Sequence, residues 1–210
     1  NWTIAQANAR ENTGRSKFNY NNANYVLLAG IISKVTGKSY AANVKRRVIR
    51  PLKLKQTYIY QQIPRSKTDA ISYLYSGGKN YSASAYANRN VVSQLPGAGN
   101  LFSTANDYYK IQSGMQNGKI LTKKQFHYLG HLNSKVNTYS GGFIWKRIKT
   151  LKVAYGNFGD THFVNWMQLT TDNQNGIVMF LNQTYGSKNH IRAIGYNILK
   201  HIKANTFIKG

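Results

Sequence analysis

Tyr20 and Asn22 are the residues whose types and spacing could most readily do chemistry, because they stand two positions apart beside a long apolar segment. A tyrosine hydroxyl has a pKa near ~10 in water, so it acts as a base at neutral pH only with a cation nearby. An asparagine amide offers both a donor and an acceptor to a substrate amide. The pair could therefore relay a proton and hold a substrate. In a chain with 16 tyrosines, the triplet alone also fits one more partly buried tyrosine.

Two histidines, His127 and His131, stand four residues apart and could present a metal pair on one face of a helix. No Asp, Glu or Cys lies near them in the sequence, so surface or packing roles are favoured. We therefore expect neither a metal nor an organic cofactor.

The elements that must position Tyr20 and Asn22 follow from hydrophobic spacing. A helix is predicted over residues 24–36, and Gly37 is a natural end for it. The polar stretch 72–94 has little periodicity and is predicted to be a long surface loop. The apolar residues of the first helix fall mostly on one side: Val26, Leu27, Ala29, Ile31, Ile32 and Val35. The other predictions are helices at 39–49, 103–113, 121–132 and 189–203, and strands at 142–148, 152–156, 163–170 and 176–181.

This succession of helices, strands and a final helix predicts an α+β protein. Residues 1–140 are expected to form a mainly helical lobe that carries the Tyr-x-Asn triplet and the long polar loop. Residues 141–210 are expected to form antiparallel strands, with the C-terminal helix covering one face of the sheet.

The triplet belongs to a longer pattern. That pattern is Phe18-x-Tyr20-x-Asn22-x-x-Tyr25-x-Leu27-Leu28-x-x-Ile31-Ile32-x-x-Val35-Thr36-Gly37, followed by Ser39-Tyr40 and Pro51-Leu52. It resembles the second catalytic motif of the penicillin-binding, serine β-lactamase-like hydrolases, and residues 97–107 resemble the glycine-rich turn and helix start of the same family. The resemblance implies a β-lactamase/transpeptidase-like fold and an acyl-enzyme reaction. It also implies that Tyr20 relays a proton and that Asn22 contacts a substrate amide.

The third motif of that family, Lys-Thr-Gly or His-x-Gly, corresponds here to Asn157-Phe158-Gly159. The resemblance makes these residues one wall of the substrate cleft, and a plain β-turn is the alternative. Asn157 cannot offer positive charge to a substrate carboxylate, which disfavours a carboxypeptidase or β-lactamase activity. An ester such as D-alanine on teichoic acid fits better. His162 lies close to this motif and is the one histidine considered for a catalytic part.

The family's nucleophile motif, Ser-x-x-Lys, occurs here only at residues 76–79, where paired glycines disfavour a helix and the order relative to Tyr20 is reversed. We interpret it as a chance match. The resemblance therefore covers the C-terminal portion of a family member, and we expect the nucleophile and the first strands to lie on a missing N-terminal part. A chain without them is expected to be inactive by itself, and also to be either poorly stable or self-associating.

The charge of the chain is strongly unbalanced, with 29 Lys and Arg against 5 Asp and Glu and a net charge of +24. Such a charge favours polyanionic partners. The basic residues are scattered and match no nucleic-acid-binding motif, so nucleic acid is the weakest candidate. The expected partner is an anionic wall polymer, either teichoic acid or the peptidoglycan stem, close to the membrane surface.

The residues at the start of the chain have neither the basic nor the apolar region of a signal peptide, and cysteine is absent. The resemblance implies an extracellular position in the cell envelope of a Gram-positive bacterium. Two functions stay open: a serine hydrolase acting on D-alanyl esters or amides, and a catalytically inactive, basic scaffold that binds the cell wall.

Overall fold

The computed structural model describes residues 20–64, 66–67, 70–76, 79–83, 93–130, 138–146, 151–157, 163–184 and 188–203. The chain divides into two compact units. The first comprises Asn1–Thr68 with Ala87–Ser103, and the second comprises Asp69–Tyr86 with Thr104–Gly210. The sequence predicts a boundary at residue 140, between a helical lobe and a lobe of strands with the C-terminal helix. That boundary stays a prediction.

Helices and strands in the described residues confirm the α+β class. The helices are α1 (Asn22–Thr36), α2 (Tyr40–Val44), α3 (Ala105–Gln116), α4 (Lys123–Leu129) and α5 (Lys188–Lys203). The strands are β1 (Tyr58–Ile59), β2 (Ser72–Ser76), β3 (Lys79–Ala83), β4 (Leu101–Phe102), β5 (Tyr139–Ser140), β6 (Phe143–Lys146), β7 (Leu151–Asn157), β8 (Val164–Thr170), β9 (Gly176–Leu181) and β10 (Gln183–Thr184). None of the described helices has the length and apolar character needed to cross a membrane.

Helix α1 begins where an asparagine side chain satisfies its first free backbone group. The Asn21 side chain accepts a hydrogen bond from the Ala23 backbone N–H at 2.9 Å. The helix ends at Gly37, whose φ of 63° is easily adopted only without a side chain. Its packing differs from the predicted pattern: Val26 and Ala29 are buried, whereas Leu28, Ile31, Ile32 and Val35 are exposed.

The segment after α1 continues the first unit. Ser39 caps α2, which runs on into a π-helical turn, Lys45–Ile49, before Pro51. Strands β1 and β4 then pair antiparallel, with Tyr58 opposite Phe102. The hydroxyls of Thr57 and Ser103 lie 2.9 Å apart and extend this pairing by one side-chain contact.

The second unit is built on a five-stranded antiparallel sheet in the order β5-β6-β7-β8-β9. Alternate residues of β7 and β8 point to opposite faces, so the sheet has two apolar cores. On one face, Leu151, Val153 and Trp166 pack with Ile191 of α5. On the other face the strand residues are Phe143, Trp145, Met167 and Leu169, and they pack against Tyr108 and Met115 of α3 and Phe126 of α4.

The polar stretch predicted as a surface loop contains a β-hairpin, which corrects that prediction. Strands β2 and β3 pair antiparallel from Ser72↔Ala83 to Ser76↔Lys79, and β10 pairs parallel to β2. Only Gly77 and Gly78 separate the last pair in the sequence, and Gly-Gly is a strong signal for a two-residue hairpin connection. The tyrosines of this stretch suit strands, whereas the abundance of Ser, Gly and Asn hid the pattern.

Candidate active site

Tyr20 and Asn22 lie at the amino end of α1, on either side of the capping residue Asn21. Asn22 is the first helical residue and its side chain is exposed. The Tyr20 side chain is 55% exposed, and its ring lies 5.7 Å from the Tyr25 ring, tilted by 45°. The helix cap thus brings Tyr20 and Asn22 to one accessible end of the helix. The role of Asn21 was missed in the sequence, although asparagine is a preferred capping residue.

The sequence around α1 is basic. No acidic residue occurs in the sequence between Glu11 and Asp69, whereas the same span holds many cations. The backbone N–H groups of a helix's first turn also carry partial positive charge. A carbonyl oxygen or an anionic group placed beside Tyr20 and Asn22 would therefore meet a favourable field.

The third motif, Asn157-Phe158-Gly159, begins at the last residue of strand β7. Asn157 is the last residue of that strand and pairs with Val164 of β8. Phe158 and Gly159 lie outside the described residues, as does His162. Tyr20 and Asn22 belong to the first unit and Asn157 to the second. The shared cleft wall formed by Asn157, Phe158 and Gly159 stays a prediction.

The only Ser-x-x-Lys sequence of the chain does not lie on a helix. Ser76 ends β2 and Lys79 begins β3, and the two residues form the closing pair of the hairpin. A nucleophile and its lysine need to stand one helical turn apart to face the same cleft. This geometry supports the interpretation of residues 76–79 as a chance match.

Lys152 is a buried charged group that the sequence did not reveal. Its side chain is 0% exposed, and its Nζ lies 5.3 Å from the Phe126 ring centre and 5.6 Å from that of Phe143. The amine donates a hydrogen bond to the Gln112 side-chain oxygen at 3.3 Å. Burial lowers the pKa of Lys152 to about 8. Between Leu151 and Val153, a lysine looks like a solvent-facing strand residue, because the sequence does not show that α3 and α4 cover that face.

Metal binding finds no support among the described residues, where no group of three or more His, Cys, Asp or Glu could hold an ion. His127 lies on α4, and His131 falls outside the described residues. The predicted absence of a metal site stays a prediction for the chain as a whole.

Comparison with known proteins decides the family. Residues 3–200 match the Beta-lactamase family. The chain belongs to the beta-lactamase family. The resemblance to penicillin-binding-protein-like, β-lactamase-related serine hydrolases is thereby confirmed, and so is the β-lactamase/transpeptidase-like fold.

Several members and structural neighbours are similar to this chain. The teichoic acid D-alanine hydrolase of Staphylococcus aureus is 32% identical over 190 residues, which cover 89% of this chain and 45% of that protein. The crystal structure of FmtA from Staphylococcus aureus has a TM-score of 0.69 at 31% identity, covering 88% of this chain and 51% of that one. The D-amino acid amidase from Ochrobactrum anthropi SV3 has a TM-score of 0.71 at 20% identity, covering 91% and 59%. At that identity the amidase shows the fold alone.

The matches cover only part of each relative, which limits the properties that can be transferred to this chain. The chain spans about half the length of the curated relatives it matches. The family is therefore established over nearly the whole chain, whereas the activity, substrate and partners of the whole protein stay proposals.

Proposed function

We propose that this chain is part of a serine hydrolase of the Gram-positive cell envelope that acts, through an acyl-enzyme, on D-alanyl esters or amides of wall polymers. The observation that carries the proposal is the Tyr20-x-Asn22 triplet at the accessible amino end of α1. It stands in a chain that is 32% identical to a protein named teichoic acid D-alanine hydrolase.

The reaction assigns one role to Tyr20 and one to Asn22. Tyr20 takes the proton of a serine hydroxyl as the serine oxygen attacks the D-alanyl carbonyl carbon. The same proton passes to the leaving alcohol or amine of the polymer as its bond to the carbonyl breaks. Water then attacks the acyl-enzyme and releases D-alanine, while Asn22 holds the substrate with its amide group.

The proposal requires a Ser-x-x-Lys nucleophile motif other than residues 76–79, which the natural upstream sequence must supply. The lysine supplies the positive charge that a tyrosine hydroxyl needs to work as a base near neutral pH. In this assignment, Asn157 forms part of the cleft wall together with Phe158 and Gly159. An uncharged asparagine there suits an ester or amide that presents no free carboxylate to this wall.

The substrate is proposed to sit in an anionic polymer. The net charge of +24 raises the local concentration of polyanions around the chain and speeds their encounter with it. Teichoic acid fits this requirement through its phosphates, and D-alanine is esterified to it. An extracellular position and proximity to the membrane surface follow from the same proposal.

The test is covalent labelling with a fluorophosphonate serine probe, followed by intact-mass analysis, on the protein expressed with its natural upstream sequence. We expect a single adduct, formed about 100-fold more slowly in Tyr20→Phe, as general-base catalysis typically contributes that much. Tyr128→Phe is the matched control, because Tyr128 is also an exposed tyrosine and lies on α4. A folded protein that forms no adduct would overturn the hydrolase proposal.

A second candidate, a catalytically inactive scaffold that binds the wall, is favoured by the excess of 29 basic over 5 acidic residues. Binding of this chain to teichoic acid with and without its D-alanine distinguishes the two. A scaffold that recognises phosphate by charge binds the D-alanylated polymer less tightly, because each D-alanyl ester adds an ammonium group that offsets phosphate charge, and it releases no D-alanine. A chain that carries the substrate contacts binds the D-alanylated polymer more tightly and loses that preference in Asn22→Ala.

A further inference from the structure

A tight turn in the first unit lies directly against the helix that carries the Tyr-x-Asn triplet. The Ala98 N–H donates a hydrogen bond to the Leu95 carbonyl at 3.0 Å, which closes a four-residue turn. Pro96 occupies the second position and Gly97, with a φ of +82°, the third. This is the arrangement of a type II turn, whose third position needs a positive φ and therefore favours glycine.

Gly97 is in contact with the backbone of α1. A Cβ atom placed on Gly97 would lie 2.7 Å from the Tyr25 carbonyl oxygen and 3.3 Å from the Ala29 Cβ. Tyr25 and Ala29 are one helical turn apart and so lie on the same side of α1. Ala29 is buried, so this side of the helix and the turn form one packed contact that has no room for a further methyl group.

The turn is itself fixed to the small β1–β4 sheet through Asn100, which is only 4% exposed. The Asn100 side-chain oxygen accepts a hydrogen bond from the Gly97 N–H at 3.2 Å. The Asn100 backbone carbonyl accepts one from the Tyr60 N–H at 2.9 Å. One asparagine thus ties the contact point, Gly97, to the strand pairing beside it.

The contact reaches the triplet through Tyr25. Gly97 holds the Tyr25 backbone, and the Tyr25 ring lies beside the Tyr20 ring at 5.7 Å between centres. Tyr20 precedes the helix and its side chain is exposed. The contact between its ring and the Tyr25 ring therefore links Tyr20 to the folded part of the first unit.

We propose that Gly97 is a positioning residue for the Tyr20-x-Asn22 motif. The turn at residues 95–98, fixed by Asn100, holds the first turns of α1, and the orientation of the Tyr20 hydroxyl depends on that contact. The catalytic meaning of this inference rests on the proposed function. The structural part of the inference, that the surroundings of the Tyr20 ring depend on Gly97, is independent of the proposed function.

The test compares Gly97→Ala with Gly37→Ala in protein labelled with 3-fluorotyrosine. Gly37 is the matched control: it has a positive φ of +63° and lies at the other end of α1, and no described atom lies within 4 Å of the position its Cβ would take. Both variants therefore add backbone strain, but only Gly97→Ala also adds the clash with α1. The ¹⁹F resonance of Tyr20 is assigned by its disappearance in Tyr20→Phe.

We expect Gly97→Ala to shift or broaden the Tyr20 resonance and Gly37→Ala to leave it in place. In the full protein, the fluorophosphonate labelling rate should fall about 10- to 100-fold in Gly97→Ala, since misplacement by about 1 Å has effects of this size. It should stay within twofold in Gly37→Ala. Asn100→Ala, which removes the acceptor for the Gly97 N–H, should move the same resonance less, and it serves as the test if Gly97→Ala does not fold.

An unchanged Tyr20 resonance in both Gly97→Ala and Asn100→Ala would overturn the inference. Equal shifts in Gly97→Ala and Gly37→Ala would also overturn it, because they would reflect general strain. If Tyr20→Phe leaves labelling unchanged while Gly97→Ala still shifts the resonance, the proposed function fails and the positioning contact stands.

Discussion

Helix α1 and the five-stranded sheet are both rich in aliphatic residues, yet they bury them very differently. In the sheet, Leu169 is 3% exposed because a helical layer covers each face. On α1, Leu28 is 53% and Val35 80% exposed, although both sit in a regular helical pattern. An apolar pattern indicates a helix face or sheet face that can be buried. Whether that face is buried depends on the presence of a packing partner.

The largest test of this contrast makes the same substitution in both places. Leu169→Ala should lower the free energy of unfolding by about 2–5 kcal/mol, because it removes a buried side chain and leaves a cavity. Leu28→Ala should change it by less than about 1 kcal/mol, as expected for an exposed position. Urea denaturation followed by circular dichroism measures both. Similar losses in the two variants would show that the α1 face is covered in solution, for example by self-association.

A second prediction concerns the one buried amine of the sheet that the structure describes, Lys152. Its pKa of about 8 lies below the value of 10.5 it has in the unfolded chain, so between these values the folded state binds fewer protons. Stability should therefore rise as the pH increases from about 8 to 10.5. Lys152→Met should raise the free energy of unfolding by about 1–3 kcal/mol at pH 7, since a charge no longer has to be buried.

The measurement for Lys152→Met is urea denaturation at pH 7 and pH 10.5, with the exposed Lys200→Met as the control for the same change on α5. The difference between wild type and Lys152→Met should shrink at the higher pH, and that between wild type and Lys200→Met should not. A Lys152→Met protein that is less stable at pH 7 would mean that the two aromatic rings and Gln112 more than offset the cost of burying the charge.

The smallest expected effect compares the capping residues of the two units. Asn21→Ala removes the acceptor for the Ala23 N–H and should cost about 1 kcal/mol. Thr122→Ala removes one half of the capping box of α4 and should cost a similar amount. Thermal unfolding measures both. Only Asn21→Ala should also disturb the fluorinated Tyr20 signal, and an undisturbed signal would separate the cap from the placement of the triplet.

Sequence patterns predicted the last long strand and the final helix well, because local periodicity decides these elements. The strand predicted at 176–181 has the bounds of β9, and the final helix differs by one residue at its start. The prediction failed where distant packing decides. The buried side of α1 and the burial of Lys152 depend on elements far away in the sequence. The hairpin β2–β3 is a local element and was missed for another reason, because its polar residues suit loops equally well.

The candidate site also has a part that the sequence predicted and a part that it did not. Tyr20 and Asn22 were predicted from type and spacing, and they lie at the amino end of α1. Their roles in the site stay a prediction. The proposed support behind them was not predictable, because Gly97 acts through a contact with the Tyr25 carbonyl, and the Asn100 side-chain oxygen acts by accepting a hydrogen bond from the Gly97 N–H. Asn157, Phe158 and Gly159 as a cleft wall stay a prediction from the family motif.

The buried amine of Lys152 also makes this chain a natural reporter of its own opening. Amine-reactive reagents modify exposed lysines at once, whereas Lys152 can react only after α3 and α4 separate from the sheet. The rate of Lys152 acylation, followed by peptide mapping, would therefore measure how often α3 and α4 separate from the sheet. The measurement uses the native protein and needs no denaturant.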